Sequence, residues 1–281
     1  MTATDLPPEV ARRFGVTRAR PVDHTAIAAI WRVEVTGGGV AALKLFHHDG
    51  LSNEGPGLDW MRAQDGAGVV QIIATDGRAV LMEWQDGPSL GDVLRAGEAV
   101  EADAQLLSVA RALHDGPDLA AGVELPDLSG WFSALRDLRT DPGCPPAAAR
   151  DMGRARDLAL ALLADPREVR ALHGDLHHDN IRQGRRGWLA FDAKGVRGER
   201  AYELANAFRN PKGAAGLVAD PATIARRADL WSEGFGVDRR RMLEWAAAKC
   251  ALSITWRAKG PVREDAEFAL LARLLEAAGA D

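Results

Sequence analysis

Between His173 and Asn180 the chain reads His-Gly-Asp-Leu-His-His-Asp-Asn, and twelve residues beyond Asn180 stands Asp192, closing the apolar run Trp188-Leu189-Ala190-Phe191. Two carboxylates and a carboxamide at this spacing suit the transfer of a phosphoryl group from ATP to a hydroxyl. In such a site one aspartate takes the proton of the attacking hydroxyl, an asparagine five residues on holds a magnesium ion, and a second aspartate holds the metal that bridges the phosphates. Asp175 is then the base, and Asn180 and Asp192 are the Mg2+ ligands. The residue types follow from the chemistry. A transferring phosphoryl group needs its charge neutralised and its acceptor oxygen held in line, which asks for metal ligands and one base, not a covalent nucleophile. Asn180 offers a neutral carbonyl oxygen without adding an anion beside the triphosphate, and Asp192 supplies the charged oxygen that a hard cation prefers. Two other readings fit these residues taken alone. His173, His177, His178 and Asp179 have spacings that suit a transition metal, and His-Gly-Asp occurs in ordinary turns.

Such groups have to be held by a loop and a strand. Arg170-Ala171-Leu172 leads in, Ile181-Arg182-Gln183 leads out, Gly184 to Gly187 turns the chain, and Trp188 to Phe191 presents Asp192 at a strand end. Upstream, Trp31 to Val35, Thr36-Gly37-Gly38-Gly39 and Val40 to Phe46 read as a β-hairpin with a glycine turn. Lys44 sits inside its second strand, either to pair with ATP phosphates or on the solvated face of an edge strand. Asn53-Glu54 opens a helix that carries Leu58, Trp60 and Met61, and Glu54 either pairs with Lys44 or favours the helix dipole. The run Ala79 to Trp84 stops at Gln85-Asp86-Gly87-Pro88 before a helix from Ser89. That order suits a hinge between lobes, where backbone groups near Glu83 and Trp84 meet the adenine edge; a plain core strand and turn fits the same residues. Pro21-Val22-Asp23-His24-Thr25 lacks glycine and is placed near the nucleotide only by preceding the hairpin. Thr25 is a candidate phosphate donor or a turn cap.

Up to about Trp84 the pattern is strand-rich; beyond it, helical periodicity dominates in the stretches 103–114, 128–138, 147–163, 201–208, 222–234, 239–259 and 263–278. An α+β architecture of two lobes is expected: residues 1–84 as a small β-rich nucleotide-binding lobe, and 85–281 as a larger, mainly helical lobe carrying the catalytic loop and the substrate site. Residues 141–146, rich in proline, form a rigid loop between helices and are too few for a domain linker. With 281 residues, 47% apolar and 27% charged, the chain is long enough for two cores. Its 35 basic and 40 acidic residues, net −5, argue against a nucleic-acid binder that relies on phosphate attraction. Cys144 and Cys250 lack metal spacing and point to a reducing, cytoplasmic setting. The start Met1 to Glu9 has neither a basic cluster nor an apolar core, and no run is long enough to span a bilayer.

Taken together, the lysine strand, the hinge, the His173–Asn180 loop, the Asp192 strand and the segment Gly198 to Ala205 make the chain resemble the aminoglycoside phosphotransferase family over nearly its whole length. Asp192-Ala193-Lys194-Gly195 is similar to the Asp-Pro-Lys-Gly form of the streptomycin and hydroxyurea resistance kinase branch. The resemblance implies a protein-kinase-like fold, ATP and Mg2+ as cofactors, and phosphorylation of a small hydroxyl acceptor of aminoglycoside type. A metabolite kinase of the same fold, acting on a sugar or amino alcohol, and a nucleotide-binding protein without turnover are the alternatives. The intact Asp175, Asn180 and Asp192 disfavour the last. A protein kinase is disfavoured because no Ala-Pro-Glu end of an activation segment follows Asp192.

The chain departs from the family pattern where proline and glycine give way to His178 and Asp179, and where Glu199 and Glu203 replace aspartates. Asp179 adds a carboxylate that would either raise the pKa of Asp175 or bind a cationic substrate; Glu199 and Glu203 put loop geometry in question. For the acceptor, Trp231, Trp245 and Trp256 in late helices are candidates for ring stacking or for plain core. Asp127, Asp137, Glu264 and Asp265 are candidates for binding cations or mere solvated faces.

Overall fold

Alternation of apolar and polar residues along 28–46 folds back on itself at the glycine turn, and this hairpin is the centre of the first lobe. The computed structural model describes residues 5–48, 51 and 54–279; Asn53, expected at a helix start, and Met1 to Thr4 of the amino-terminal segment lie outside the described residues. Helix α1 (Pro8–Arg13) leads into β1 (Val16–His24), β2 (Ala28–Val35) and β3 (Gly39–Phe46), then α2 (Gly55–Gln64), β4 (Ile72–Asp76) and β5 (Ala79–Glu83). The strands form a five-stranded sheet in the order β1-β2-β3-β5-β4, antiparallel at each pair. Trp31, Val33, Leu43 and Leu81 fill one core of this lobe. Residues 21–24, placed near the nucleotide by preceding the hairpin, belong to β1. That strand is exposed along nearly its whole length and shows no apolar alternation, and Pro21 is tolerated because the strand lies at the sheet edge, next to a register shift.

The second lobe begins with α3 (Leu90–Arg95), whose Ser89 and Asp92 make a reciprocal capping box, and α4 (Ala99–His114). Short helices α5 (Leu128–Trp131) and α6 (Ser133–Arg136) precede α7 (Pro146–Ala164). The site is then built on β6 (Val169–Leu172), β7 (Ile181–Gly184), β8 (Gly187–Ala190) and β9 (Val196–Glu199), with β6 paired to β9 and β7 to β8. Helices α8 (Ala215–Val218), α9 (Pro221–Phe235), α10 (Arg239–Ala258) and α11 (Phe268–Ala277) complete the chain. Helix α10 is buried along most of its length, and its small residues Ala246, Ala247, Ala248 and Ala251 let neighbouring elements approach closely. Trp231 and Trp245 are core residues, whereas Trp256 is 43% exposed.

Three helical expectations are corrected. The stretch 201–208 is two 3-10 turns, Arg200–Tyr202 and Ala205–Arg209, because Glu203 and Asn206 turn inward to bond the His173–Asn180 loop. The stretch 128–138 is split at Phe132 into α5 and α6. Residues 263–267 are a turn, in which Asp265 accepts the Glu267 N–H and pairs with Arg257, so α11 starts only at Phe268. No helix among the described residues is long and apolar enough to cross a membrane.

A buried cluster ties α4, the His173–Asn180 loop and α9 together. His178 Nε2 donates to Asp103 Oδ1 at 2.7 Å, and Asp103 also receives Arg227 at 3.1 Å and Arg226 at 2.7 Å. Burial pushes the His178 imidazole down to about 4, and its Nδ1 has no partner to receive a proton. Burial would raise the Asp103 carboxyl, but the His178 hydrogen bond and the Arg227 charge outweigh it and hold the group at about 2. The sign for stability follows. Below the ordinary histidine value of 6.5 the unfolded chain takes up a proton that the folded ring refuses, so stability is full above 6.5 and falls as pH drops towards 4. Asp103 adds a further loss between 3.8 and about 2. Urea midpoints measured across this range are expected to fall with pH, and the slope between 6.5 and 4 should flatten in His178→Gln; an unchanged slope contradicts the assignment.

Candidate active site

Strand β6 delivers His173 to the floor of the site, and the following backbone is held by one buried carboxylate. Glu203, 1% exposed, accepts the N–H groups of His173 at 2.9 Å and Gly174 at 3.0 Å, and receives His114 Nε2 at 2.7 Å. Burial alone would raise its pKa; the His114 hydrogen bond and the charges of His114 and His173 reverse that, so it lies low. Asp175 is fixed next. Its N–H donates to His173 Nδ1 at 3.2 Å, and its Oδ1 accepts from Asn206 Nδ2 at 2.7 Å. Arg209 Nη1 donates to Asn206 Oδ1 at 2.8 Å and itself forks onto Glu267, which also receives Arg257. A chain of charge-assisted bonds from α10 and the turn before α11 therefore orients the carboxylate.

Asn180 sits at the end of a 3-10 turn capped by His177. Its Nδ2 donates to the Asp175 backbone carbonyl at 3.0 Å, leaving the amide oxygen free of that contact. Asp192 follows β8 with a left-handed φ of 60°, a strained setting for a non-glycine residue that aims its carboxylate between two lysines. Lys44 Nζ lies 2.9 Å from Asp192 Oδ1 and pairs with Glu54; Lys194 Nζ lies 3.3 Å from Glu54 Oε1 and 3.6 Å from Asp192 Oδ2. Two ammonium groups and two carboxylates thus alternate around a ring. Burial would raise the Asp192 carboxyl, but Lys44 and Lys194 hold it down at about 2. The ring depends on a close backbone approach: a Cβ on Gly57 would stand 1.8 Å from the Ala193 carbonyl, and one on Gly195 2.4 Å from that of Pro56. Glycine at both positions lets α2 carry Glu54 against the Asp192 loop.

Lys44, Glu54, Glu83, Trp84, Asn180 and Asp192 line one cavity of about 480 Å³ between the lobes. Asp175 stands just beyond it, joined through Asn180. Glu83 differs from expectation in detail. Its N–H is spent on the Gln71 carbonyl at 2.9 Å and its carboxylate on Arg186 at 2.6 Å, a pair that ties the β7–β8 turn to the first lobe. Thr25 caps a turn, exchanging hydrogen bonds with Ala28 at 3.0 Å, and also reaches the cavity wall. Asp179 is turned to Arg95 at 2.9 Å and the Lys212 N–H at 3.2 Å, so its charge is engaged away from Asp175. Glu199 forks onto Arg241.

Four contributors were not given roles from sequence. Lys194 lay in a motif read only for resemblance, and Asn206 and Arg209 follow the 198–205 segment without a pattern of their own. Gln85 lines the cavity with both side-chain amide atoms buried and unpartnered. Among the described residues no three His, Cys, Asp or Glu side chains converge to hold a transition metal. The oxygen pair of Asn180 and Asp192 fits a hard cation that keeps other ligands from phosphate and water.

A family model described as aminoglycoside/hydroxyurea antibiotic resistance kinase matches residues 13–260. The streptomycin 3''-kinase of Klebsiella pneumoniae is 33% identical over 211 residues, covering 73% of this chain and 76% of its own length. The hydroxyurea phosphotransferase of Kitasatospora aureofaciens is 32% identical over 273 residues, covering 93% of this chain and 74% of its own. Among solved structures, a thermostable mutant of aminoglycoside phosphotransferase APH(4)-Ia, in ternary complex with ADP and hygromycin B, superposes with a TM-score of 0.62 at 13% identity, covering 99% of each chain. At that identity the likeness speaks for the fold, which is protein-kinase-like and two-lobed.

Proposed function

The chain belongs to the aminoglycoside/hydroxyurea antibiotic resistance kinase family, and on that premise we propose that it moves the γ-phosphoryl group of ATP to a hydroxyl of an aminoglycoside-like acceptor, streptomycin being the leading candidate. The observation that carries this reading is the placement of Asp175 beside a cavity ringed by Lys44, Glu54, Asp192 and Lys194. In this reading residues 1–84 bind the nucleotide and residues 85–281 carry the base and the acceptor. Backbone groups of Glu83 and Trp84 lie at the adenine end, with the donor side shifted towards Trp84 and Gln85 because the Glu83 N–H is taken. Lys44, steadied by Glu54, and Lys194 meet phosphate oxygens. Asn180 and Asp192 would hold Mg2+, which when bound neutralises charge that develops on the phosphoryl group.

The work of the protein is then positional. Asn206 holds one Asp175 oxygen at 2.7 Å and Asn180 Nδ2 reaches the other only at 3.5 Å, so in this reading the second oxygen takes the proton of the acceptor hydroxyl as the new ester bond forms. The Lys44–Asp192 ion pair keeps the anionic site ordered before ATP arrives. A cytoplasmic setting is part of the proposal, supported by free, buried Cys144 and Cys250 and by the use of ATP.

Two measurements test this reading. Bacteria producing the chain are expected to grow at streptomycin concentrations that arrest cells producing Asp175→Asn; equal arrest would turn the acceptor to a metabolite alcohol. In vitro, Mg2+ is expected to raise ATP affinity by about tenfold or more, about 1.4 kcal/mol, and Asp192→Ala to abolish that gain. An unchanged Mg2+ effect in calorimetry would remove Asp192 from the metal site.

A further inference from the structure

The acceptor side of Asp175 is walled by residues that the nucleotide cavity does not use. Gly174 leaves room for Trp131, whose ring carbon would stand 3.3 Å from a Cβ added there. Trp131 meets Trp256 edge to face, with ring centroids 6.2 Å apart, and Trp256 is the exposed member of the late-helix tryptophans. Between them rises Lys249 from the buried helix α10. Its Nζ lies 4.7 Å from the Trp256 centroid and 5.9 Å from that of Trp131, and the residue is only 4% exposed.

Among the described residues no hydrogen bond or ion pair reaches this ammonium, whose polar end meets the two aromatic faces. The nearby carboxylates are committed elsewhere: Glu267 to Arg209 and Arg257, and Asp175 to Asn206. A buried ammonium with unmet donors is costly, and two aromatic faces offset only part of the loss of water. Burial accordingly pushes its pKa down to about 8, against the pull of Asp175 and Glu267 and with the push of Arg209 and Lys194. A group kept in this condition beside the base is a donor waiting for oxygen.

We propose that Trp131, Trp256 and Lys249 form the acceptor subsite, receiving a hydroxylated ring whose C–H face lies on Trp256 and whose oxygens accept from Lys249 Nζ, with any cationic groups of the acceptor turned away from this wall. The inference rests on the reading of Asp175 as the base. It makes Lys249 a positioning and specificity residue that acts on the ring neighbouring the reactive hydroxyl.

The test is calorimetric titration of streptomycin into the full chain loaded with ADP. Lys249→Met and Trp256→Ala are each expected to weaken streptomycin by about tenfold or more, with ADP affinity unchanged and Lys249→Arg restoring part of the loss. Wild-type affinity should fall as pH rises through about 8, and the pH dependence should flatten in Lys249→Met. No streptomycin binding by the wild type, undiminished binding in both variants, or a parallel loss of ADP affinity would overturn the subsite. Phosphate transfer is measured separately. Binding that depends on Lys249 without transfer would support the subsite and remove the phosphotransferase reading, whereas transfer unaffected by Lys249→Met would do the reverse.

Discussion

Replacing Asp175 by asparagine is expected to leave the fold and nucleotide affinity nearly unchanged and to lower turnover by about 10²- to 10⁴-fold. The contrast follows from where the residue stands. Asp175 lies outside the cavity and is joined to it through Asn180, so the lysine and carboxylate ring proposed to meet phosphate stays intact. The asparagine side chain can still bond Asn206 through its oxygen, so the loop keeps its place. What it loses is the anionic oxygen proposed to take the acceptor proton. Steady-state turnover and ADP calorimetry on one preparation separate the two effects. Equal loss of both would mean that Asp175 organises the loop and does not act as the base.

Glu203→Gln should act through structure and chemistry together. The carboxylate is fully buried and accepts from two consecutive backbone amides and from His114. A glutamine offers one oxygen, and its amide nitrogen would face a donor, leaving either His114 or a loop N–H unpaired. Leaving a buried donor or acceptor unpaired typically costs about 1–3 kcal/mol, and more where a charged group is involved. The variant is therefore expected to unfold at much lower denaturant and, where folded, to turn over slowly because Gly174 and Asp175 are no longer held. Glu203→Asp, which keeps the charge on a shorter arm, should recover part of the stability. A Glu203→Gln chain with wild-type midpoint and rate would show that the loop is held by other contacts.

The parts of the site legible in sequence were those whose chemistry forces a residue type at fixed spacing. Asp175 and Asn180 lie on one loop, and the β7–β8 hairpin that follows returns the chain so that Phe191 bonds Asn180 and Asp192 stands next to it; a hairpin-length spacing is readable in sequence. Lys44 and Glu54 were visible because strand and helix patterns placed them in a familiar order. Lys194 closes the charge ring only because Gly57 and Gly195 allow α2 and the Asp192 loop to touch, and such a contact leaves no periodic signal. Asn206, Arg209 and Glu267 form a relay across a turn, a 3-10 segment and the start of α11, with separations set by tertiary packing alone. In the fold, β1 was missed because an exposed edge strand has no buried face to impose alternation. The stretch 201–208 looked helical because Ala201, Leu204, Ala205 and Phe208 are apolar at helical spacing, yet those residues pack around inward-turned Glu203 and Asn206. Glu199 and Glu203, which raised doubt as departures from aspartate, sit in ion pairs with Arg241 and His114 that the longer side chain reaches.

The most direct test of the central claim is to incubate the chain with γ-labelled ATP, Mg2+ and streptomycin, alongside a panel of small metabolite alcohols, and to identify the labelled product by mass spectrometry. The expected result is a phosphate ester on an acceptor hydroxyl, formed by the wild type and nearly absent with Asp175→Asn that still binds ADP. Label found on no acceptor, or ester formed equally by both proteins, would contradict the account.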